Sequence, residues 1–372
     1  MKFGFFMMPD HHPSENPTLA YERDLESIEL TERLGYDEMW IGEHHTAGFE
    51  TIPAPDIMIA MAAARTKRIK FGTGVANLPY HQPFHIAERM AFLDHLTRGR
   101  VMLGVGPGVL RTDMRLFGCN PEEMRPRMNE SLDIIMKLFK EDGPITYEGQ
   151  FYQVKDVELQ IKCYQQPHLP VACAVGRSGN SLEQAAKHGQ MILSGGFLSP
   201  ATPQDFLAHW QRYEQRAKAA GHAPKRDDWR IAKYVYVAES DERAVKDIEQ
   251  GAMREMREYF YYIGNKSNYE AYPGQPREEW TIQQMIQRSG WIVGSPDTVA
   301  KAIKDITAVT GPIGGFLIVT SEWASTENWN RSLELFARYV MPQFTGQLKG
   351  TTNAWKRATQ MSETGALGRP NY

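Results

Sequence analysis

The chain has 372 residues, 42% of them hydrophobic and 23% charged, with a formal net charge of −3; this is typical of a soluble globular protein without a basic surface for nucleic acid or anionic membranes. Its three cysteines form neither a CxxC pair nor an even set, and no apolar run reaches the ~18 residues that a membrane helix needs. We therefore expect a cytoplasmic protein without a signal peptide that binds neither nucleic acid nor membrane.

Short β-branched or aromatic runs alternate with longer amphipathic segments along most of the chain. The runs predict strands at 2–8, 38–42, 69–75, 101–105, 171–175, 191–194, 231–237 and 315–320. The segments between them predict helices at 18–34, 54–66, 84–96, 121–140, 178–188, 203–220 and 326–340, with two more opening at Ser240 and Ser295.

Repeated βα units require parallel strands joined by right-handed crossovers. Eight units favour closure into a (β/α)8 TIM barrel, although an open doubly wound sheet has the same local pattern. Residues 143–166 interrupt the alternation with a hairpin or another kind of excursion, and residues from about 264 to 290 interrupt it again. We therefore expect one α/β domain over 1–345 with two insertions, followed by a loose polar tail over 346–372.

Two adjacent histidines, His44 and His45, follow the second predicted strand. Active sites of such barrels lie at the C-terminal ends of the strands, and an imidazole placed there can transfer a proton near neutral pH. A structural role is an alternative. Another is a metal site with further ligands from His11, His12, His81 and His85. Because no HExxH or CxxC spacing accompanies these histidines, we predict no metal.

Glycine-rich turns follow the fourth and fifth strands. Gly176-Arg177-Ser178 precedes a predicted helix, where backbone N–H groups, the helix dipole and the Arg177 charge would cradle a phosphate. A tight βα turn with Ser178 as N-cap explains the same residues. The run from Gly104 to Gly108 lacks the full GxGxxG spacing followed by an acidic residue, so it is weak as a dinucleotide motif.

Aromatic residues are concentrated at and inside the second insertion. They are Tyr259, Phe260, Tyr261, Tyr262, Tyr269, Tyr272 and Trp280. An apolar lid over a substrate pocket and a helix packed against the barrel wall are both consistent with them.

Several motifs together resemble the bacterial luciferase-like flavin monooxygenases, and among them the limonene and diketocamphane monooxygenase-type members. The matching segments are 1–4, 40–45 (WIGEHH), 72–75 (GTGV), 93–100 (LDHLTRGR), 103–106, 113–118, 293–297 and 340–342. They occur in the order and spacing of that family over about residues 1–345. The resemblance implies a TIM barrel that binds reduced FMN, or the deazaflavin F420 in some branches, at its mouth.

The resemblance also implies roles for individual residues. His44 corresponds to the catalytic position, where it would transfer protons, and the Gly74–Val75 bond corresponds to a non-proline cis peptide. The cofactor-binding residues would be Gly74, Val75, Ala76, Asn77, Gly106, Asp113, Gly176, Arg177 and Ser178. The substrate pocket would include Met8, His45, Phe197 and Trp323.

The activity implied is that of a two-component monooxygenase. A separate NAD(P)H:flavin reductase would supply reduced FMN, and the chain, as a homodimer, would use it with O2 to oxygenate an apolar small molecule of the cyclic or terpenoid kind. The alternatives are an F420-dependent reductase or dehydrogenase and a non-catalytic flavin-binding protein.

Overall fold

The computed structural model of the protein, which describes residues 1–8, 10–176, 179, 181–195, 201–264 and 266–364, contains a closed barrel of parallel strands surrounded by helices. The strands are β1 (Lys2–Met7), β2 (Glu38–Ile41), β3 (Lys70–Thr73), β4 (Ala76–Asn77), β5 (Val101–Gly106), β6 (Ile145–Glu148), β7 (Gln153–Val157), β8 (Val171–Val175), β9 (Met191–Gly195), β10 (Trp229–Val237), β11 (Ile292–Gly294) and β12 (Gly315–Val319). The helices are α1 (Pro17–Leu34), α2 (Pro55–Arg65), α3 (Pro83–Thr97), α4 (Arg111–Leu116), α5 (Met124–Lys140), α6 (Leu182–His188), α7 (Pro203–Ala219), α8 (Asp241–Glu255), α9 (Tyr261–Ile263), α10 (Ile282–Ser289), α11 (Pro296–Thr310), α12 (Thr326–Leu335), α13 (Pro342–Thr345) and α14 (Lys349–Glu363).

The barrel closes through eight strands in the order β1, β2, β3, β5, β8, β9, β10, β12 and back to β1. All eight predicted strands are present, which confirms the barrel and excludes the open sheet. The first insertion is the expected antiparallel hairpin, formed by β6 and β7. The second contains α10, and the six-residue helix α4 was not predicted.

Alternation along the strands divides the core into two layers. Along β1 and the residue after it, Phe3, Phe5 and Met7 belong to the layer between the strands and the helices, whereas Phe6 and Met8 belong to the layer inside the barrel. Successive side chains of a strand point to opposite faces. Both faces are therefore apolar, as parallel sheets covered by helices require.

Trp40 fills the barrel interior and is fully buried. A Cβ atom on Gly72 of the neighbouring strand would lie 2.2 Å from Trp40 Cε3, and one on Gly104 would lie 3.0 Å from Cζ3. The two glycines give the indole ring the space that any side chain would take.

The tail was expected to be loose, and this is wrong for residues 349–363, which form α14. Its sequence is rich in good helix formers such as Ala354, Lys356 and Ala358. None of its residues is buried, and Trp355 is 70% exposed. Among the described residues, no helix is both long and apolar enough to cross a membrane.

Candidate active site

The C-terminal ends of the barrel strands bring the candidate residues to one mouth. Glu43, His44 and His45 follow β2, and Asp113 lies on α4, which follows β5. The backbone N–H of His44 donates to Ile52 O at 3.1 Å, which ties the segment after β2 to the loop that leads into α2. The position of the histidines therefore follows from the barrel topology.

His44 lies between two buried carboxylates. Its Nδ1 is 3.2 Å from Asp113 Oδ2, and its Nε2 is 2.6 Å from Glu50 Oε2. Tyr259 donates its hydroxyl to Glu50 Oε1 at 2.8 Å, and Thr46 donates to Asp113 Oδ1. Nδ1 is hydrogen-bonded to Asp113, and Nε2 forms a close ion pair with Glu50, so the arrangement suits an imidazolium between two carboxylates.

The electrostatics favour that charged form. Burial lowers the pKa of His44, but the charge of Glu50 and the hydrogen bonds with Asp113 and Glu50 outweigh it and raise this pKa to about 10. Burial likewise raises the pKa of Asp113, yet its hydrogen bonds with His44 and Thr46 bring it below the usual value. At neutral pH His44 is therefore a cation and a proton donor, not a base.

A third buried carboxylate, Glu43, contacts the side chains of the neighbouring His45 and His81. Its Oε1 is 3.0 Å from His45 Nε2 and 2.9 Å from His81 Nε2. The Asn77 amide donates to the backbone oxygen of Glu43 at 2.9 Å, and the Asn77 backbone N–H to Oε2 at 3.3 Å. These hydrogen bonds pair both carboxylate oxygens of Glu43. Burial raises the pKa of this carboxyl, but the two histidines outweigh burial and bring the pKa below its usual value.

Three potential metal ligands converge within the described part of the chain. They are the side chains of Glu43, His45 and His81, whose ligand atoms lie within 4.8 Å of one another. The other histidines considered as ligands lie apart from them: His11 bonds Asp24, and His85 bonds Glu88. The absence of a metal stays a prediction.

One wall of the mouth is formed by the residues after β3. The Gly74–Val75 peptide bond is cis, as the resemblance implied. Ala76 and Asn77 form β4, which pairs with the end of β5. A Cβ atom on Gly106 would lie 2.5 Å from Val75 Cγ2, so this glycine lets the two segments pack closely. The structure thus brings together the predicted residues 74–77 and 106.

The predicted phosphate turn lies beyond β8, next to β5 in the barrel. The Gly179 N–H donates to Gly176 O at 2.9 Å, and a Cβ atom on Gly176 would meet nothing within 4 Å. The helix begins at Leu182 with Ser181 as N-cap, so the prediction that it starts at residue 178 is wrong. Gly179, with φ of 64°, forms a turn instead. Arg177, Ser178 and Phe197 lie outside the described residues.

The remaining predicted pocket residues lie on the other side of the barrel. Met8 lines a cavity of about 360 Å³ beside α1 and α12. Trp323 is 3% exposed and packs on Trp291 and Tyr234, with ring centroids 4.1 and 4.6 Å away. Of the aromatic residues at and inside the second insertion, Tyr259, Phe260, Tyr269 and Trp280 are buried, whereas Tyr262 and Tyr272 are at least half exposed. Packing against Trp291 and Tyr234 therefore accounts for the burial of Trp323.

Sequence reasoning missed three buried carboxyls at this mouth: Asp10, Glu50 and Glu255. For Glu255 a signal existed, because the buried stripe of α8 runs through Ala244, Ile248 and Ala252 and continues at Glu255. A charged residue at a core-facing position is unusual unless it is paired. Asp10 and Glu50 lie in segments without regular secondary structure, so no periodic sequence pattern could have predicted that they are buried.

Comparisons with known proteins agree with this architecture. A family model described as "Luciferase-like monooxygenase" matches residues 1–311. The chain is 40% identical over 361 residues to 4-hydroxyprotoasukamycin monooxygenase of Streptomyces nodosus subsp. asukaensis, covering 95% of both chains. It is 34% identical over 346 residues to limonene 1,2-monooxygenase of Rhodococcus erythropolis, covering 93% of this chain and 87% of that protein.

The fold also matches a solved structure. This is the oxygenating constituent of 3,6-diketocamphane monooxygenase of Pseudomonas putida in complex with FMN, described as a type II Baeyer–Villiger monooxygenase. The TM-score is 0.79 at 24% identity, with 92% of this chain and 98% of that chain covered.

Proposed function

Because the chain belongs to the luciferase-like monooxygenase family, we propose that it is the oxygenase of a two-component system. It takes reduced FMN from a separate flavin reductase and uses O2 to oxygenate an apolar small molecule. Per turnover, reduced FMN in its anionic form would supply two electrons and one proton, one oxygen atom would enter the substrate, and the other would leave as water after taking up a second proton from the protein.

The observation that carries the proposal is His44, held as a cation between Glu50 and Asp113 at the barrel mouth. A fixed cation with two N–H groups stabilises negative charge that develops beside it, and it is a source of a proton. A protein that only stored flavin would need neither, which favours catalysis over storage.

The described residues fit a flavin at this mouth. The segment from Gly74 to Asn77, which packs on the end of β5, would form a backbone wall for the ring system, and the open space at Gly176 would leave room for a phosphate at the turn after β8. Arg177 and Ser178 would complete that turn. Asp113, which we predict to bind the cofactor, is also hydrogen-bonded to His44 and so orients it.

The substrate class rests on the relatives, which act on limonene and on protoasukamycin and diketocamphane compounds by their names. We propose an apolar cyclic or terpenoid substrate, with Met8, His45, Phe197 and Trp323 near its pocket. The apolar layer inside the barrel is consistent with a site that excludes water during oxygen chemistry.

The test is anaerobic titration with reduced FMN, with reduced F420 titrated in parallel. We expect tighter binding of reduced FMN and, with ¹⁸O2 and limonene-type substrates, incorporation of one ¹⁸O atom into the product. Tighter binding of F420 with hydride transfer and no ¹⁸O in the product would instead support the F420-dependent reductase. Binding of FMN without any oxygenated product from a broad set of apolar compounds would support the storage alternative.

A homodimer is part of the proposal. The neighbouring helices α2 and α3 expose apolar pairs spaced four residues apart, Ile57 with Met61 and Phe92 with Leu96, each at least half exposed. Two such helices present a continuous apolar face that a second copy would cover. We expect a dimer by light scattering and a monomer for the Phe92→Glu variant, whereas Leu348→Glu, outside this face, should remain dimeric.

A further inference from the structure

Behind His44, on the side of Glu50, lies a pair of buried carboxyls that the oxygenation scheme has not used. Asp10 follows β1, and Glu255 is the last residue of α8; they are 8% and 6% exposed. Their side chains are hydrogen-bonded to each other. The chain separates them by 245 residues, so only the fold brings them together.

The hydrogen bond between the two carboxyls requires a proton. Glu255 Oε2 accepts from Trp323 Nε1 at 2.6 Å, while no described N–H or O–H group reaches Glu255 Oε1. An ionised carboxylate only accepts hydrogen bonds, so one of the two acids must donate. Two adjacent buried carboxylates also repel each other strongly when both are ionised.

The pair lies next to the His44 site. Asp10 and Glu50 are joined by an antiparallel backbone bridge. The charge of Glu50 acts on both Asp10 and Glu255, and Glu50 Oε2 is 2.6 Å from His44 Nε2. Glu50 is thus the carboxylate between the acid pair and the cation of the mouth.

The pair also reaches solvent. Asp10 lines the cavity of about 360 Å³ that is bounded by β1, α1 and α12. This volume accommodates about ten water molecules at roughly 30 Å³ each. The residues of the candidate flavin wall, 74–77 and 106, do not line it, so water can reach Asp10 without entering the flavin site.

We propose that Asp10 and Glu255 share one proton and form a solvent-fed acid pair that reloads His44 through Glu50. This rests on the proposed function, since water formation needs two protons and anionic reduced FMN would carry only one of them. When His44 gives a proton to the reacting centre, the pair gives its proton to Glu50, and Glu50 passes it to His44. The pair, now doubly ionised, takes one proton from water in the cavity, so each cycle moves one proton from solvent to the mouth. Asp10 and Glu255 act through Glu50 and His44 and do not touch the reacting centre, so both are positioning residues.

The charges around the pair are consistent with proton exchange near neutral pH. Burial and then Glu50 raise the pKa of Asp10 to about 6, against the lowering effect of its hydrogen bond with Glu255 and the charges of His11 and Arg254. Burial and Asp10 raise the pKa of Glu255 well above its usual value. The other titratable groups that face the pair or its cavity are Tyr234, Tyr259, Tyr269, His12, Glu15, Arg23, Asp24 and Glu322.

The first test uses the protein without flavin. Infrared spectroscopy of the full chain should show a protonated carboxyl C=O band at neutral pH, which disappears at alkaline pH. Glu255→Gln should lose this band and Asp10→Asn should shift its frequency, whereas Glu322→Gln, on the same cavity, should leave it unchanged. A wild type without the band, or a band that survives in both variants, would overturn the shared proton.

The second test measures delivery. In single turnovers with reduced FMN, Glu255→Gln should slow product formation roughly tenfold or more at alkaline pH, shift the pH profile and increase the solvent isotope effect, with unchanged affinity for reduced FMN. A pH profile equal to that of the wild type would make the pair structural only. If reduced FMN does not bind at all, the proposed function fails, while the infrared result still decides whether the proton is shared.

Discussion

The two ends of the barrel treat buried charge in opposite ways. At the N-terminal end, Glu38 on β2 meets Arg230 on β10 through two hydrogen bonds of 2.6 and 2.8 Å, with both side chains at most 2% exposed. Trp40 Nε1 donates a further bond to Glu38 at 3.2 Å. This planar two-bond pair balances its charges and leaves nothing to titrate near neutral pH.

At the C-terminal end, carboxyls outnumber buried cations among the described residues. Glu50 and Asp113 contact the imidazolium of His44, and the charge of Glu50 also acts on the buried pair of Asp10 and Glu255. Such a cluster is stable only when it carries protons, so its charge depends on pH. The buried ion pair at the N-terminal end therefore stabilises the barrel, whereas the ionisable groups at the mouth can gain and lose protons.

The largest effect should come from breaking the lower pair. Arg230→Met leaves Glu38 buried with only the half-exposed Lys2 as a counter-charge, and we expect a loss of about 3–5 kcal/mol in the free energy of unfolding by urea denaturation. Lys2→Met should cost less than about 1 kcal/mol, because Lys2 Nζ is 3.7 Å from Glu38 and half exposed. Equal losses for the two variants would show that the buried pair has no special role.

At the mouth, the main loss should be in rate. His44→Gln keeps a side chain that donates a hydrogen bond but removes the cation, and we expect product formation to fall about a hundredfold or more. The affinity for reduced FMN, measured anaerobically, should change only a few-fold. A variant with wild-type rates would show that His44 is not the proton donor.

The two ends should also fail at opposite pH. The folded pKa of His44, about 10, lies above its ordinary value of 6.5, so its stabilisation is complete below pH 6.5 and is lost as the pH rises through 10. Burial raises the pKa of Glu38, but Arg230 lowers it below its ordinary value of 4.5, so that stabilisation is present above pH 4.5 and is lost in acid. Thermal melting across pH should therefore lose its alkaline decline in His44→Gln and part of its acid decline in Arg230→Met.

The smallest effect should come from the tail. Removing residues 347–372 deletes α14, which buries no side chain, so the free energy of unfolding should change by less than about 0.5 kcal/mol. Catalytic rates should be unchanged as well. A clear fall in the melting temperature would show that α14 packs on another surface, such as that of a second copy.

Periodicity was sufficient for the barrel because each strand and helix repeats its pattern over many residues. It gave the strand over 231–237 within two residues of its observed start at Trp229, and it placed Ser240 and Ser295 as N-caps. It missed α4, whose six residues are too few to establish a period, and it placed the start of α6 four residues early because a glycine turn intervenes.

The sequence by itself determined the alternation of strands and helices and, from it, that His44 and His45 lie at the mouth, since both depend on local order along the chain. Only the tertiary structure decided what His44 faces. Asp113 comes from 69 residues away, and Glu255, the partner of Asp10, from the far end of α8. Burial and proximity set the ionisation of these groups, and both arise only when distant segments pack against each other.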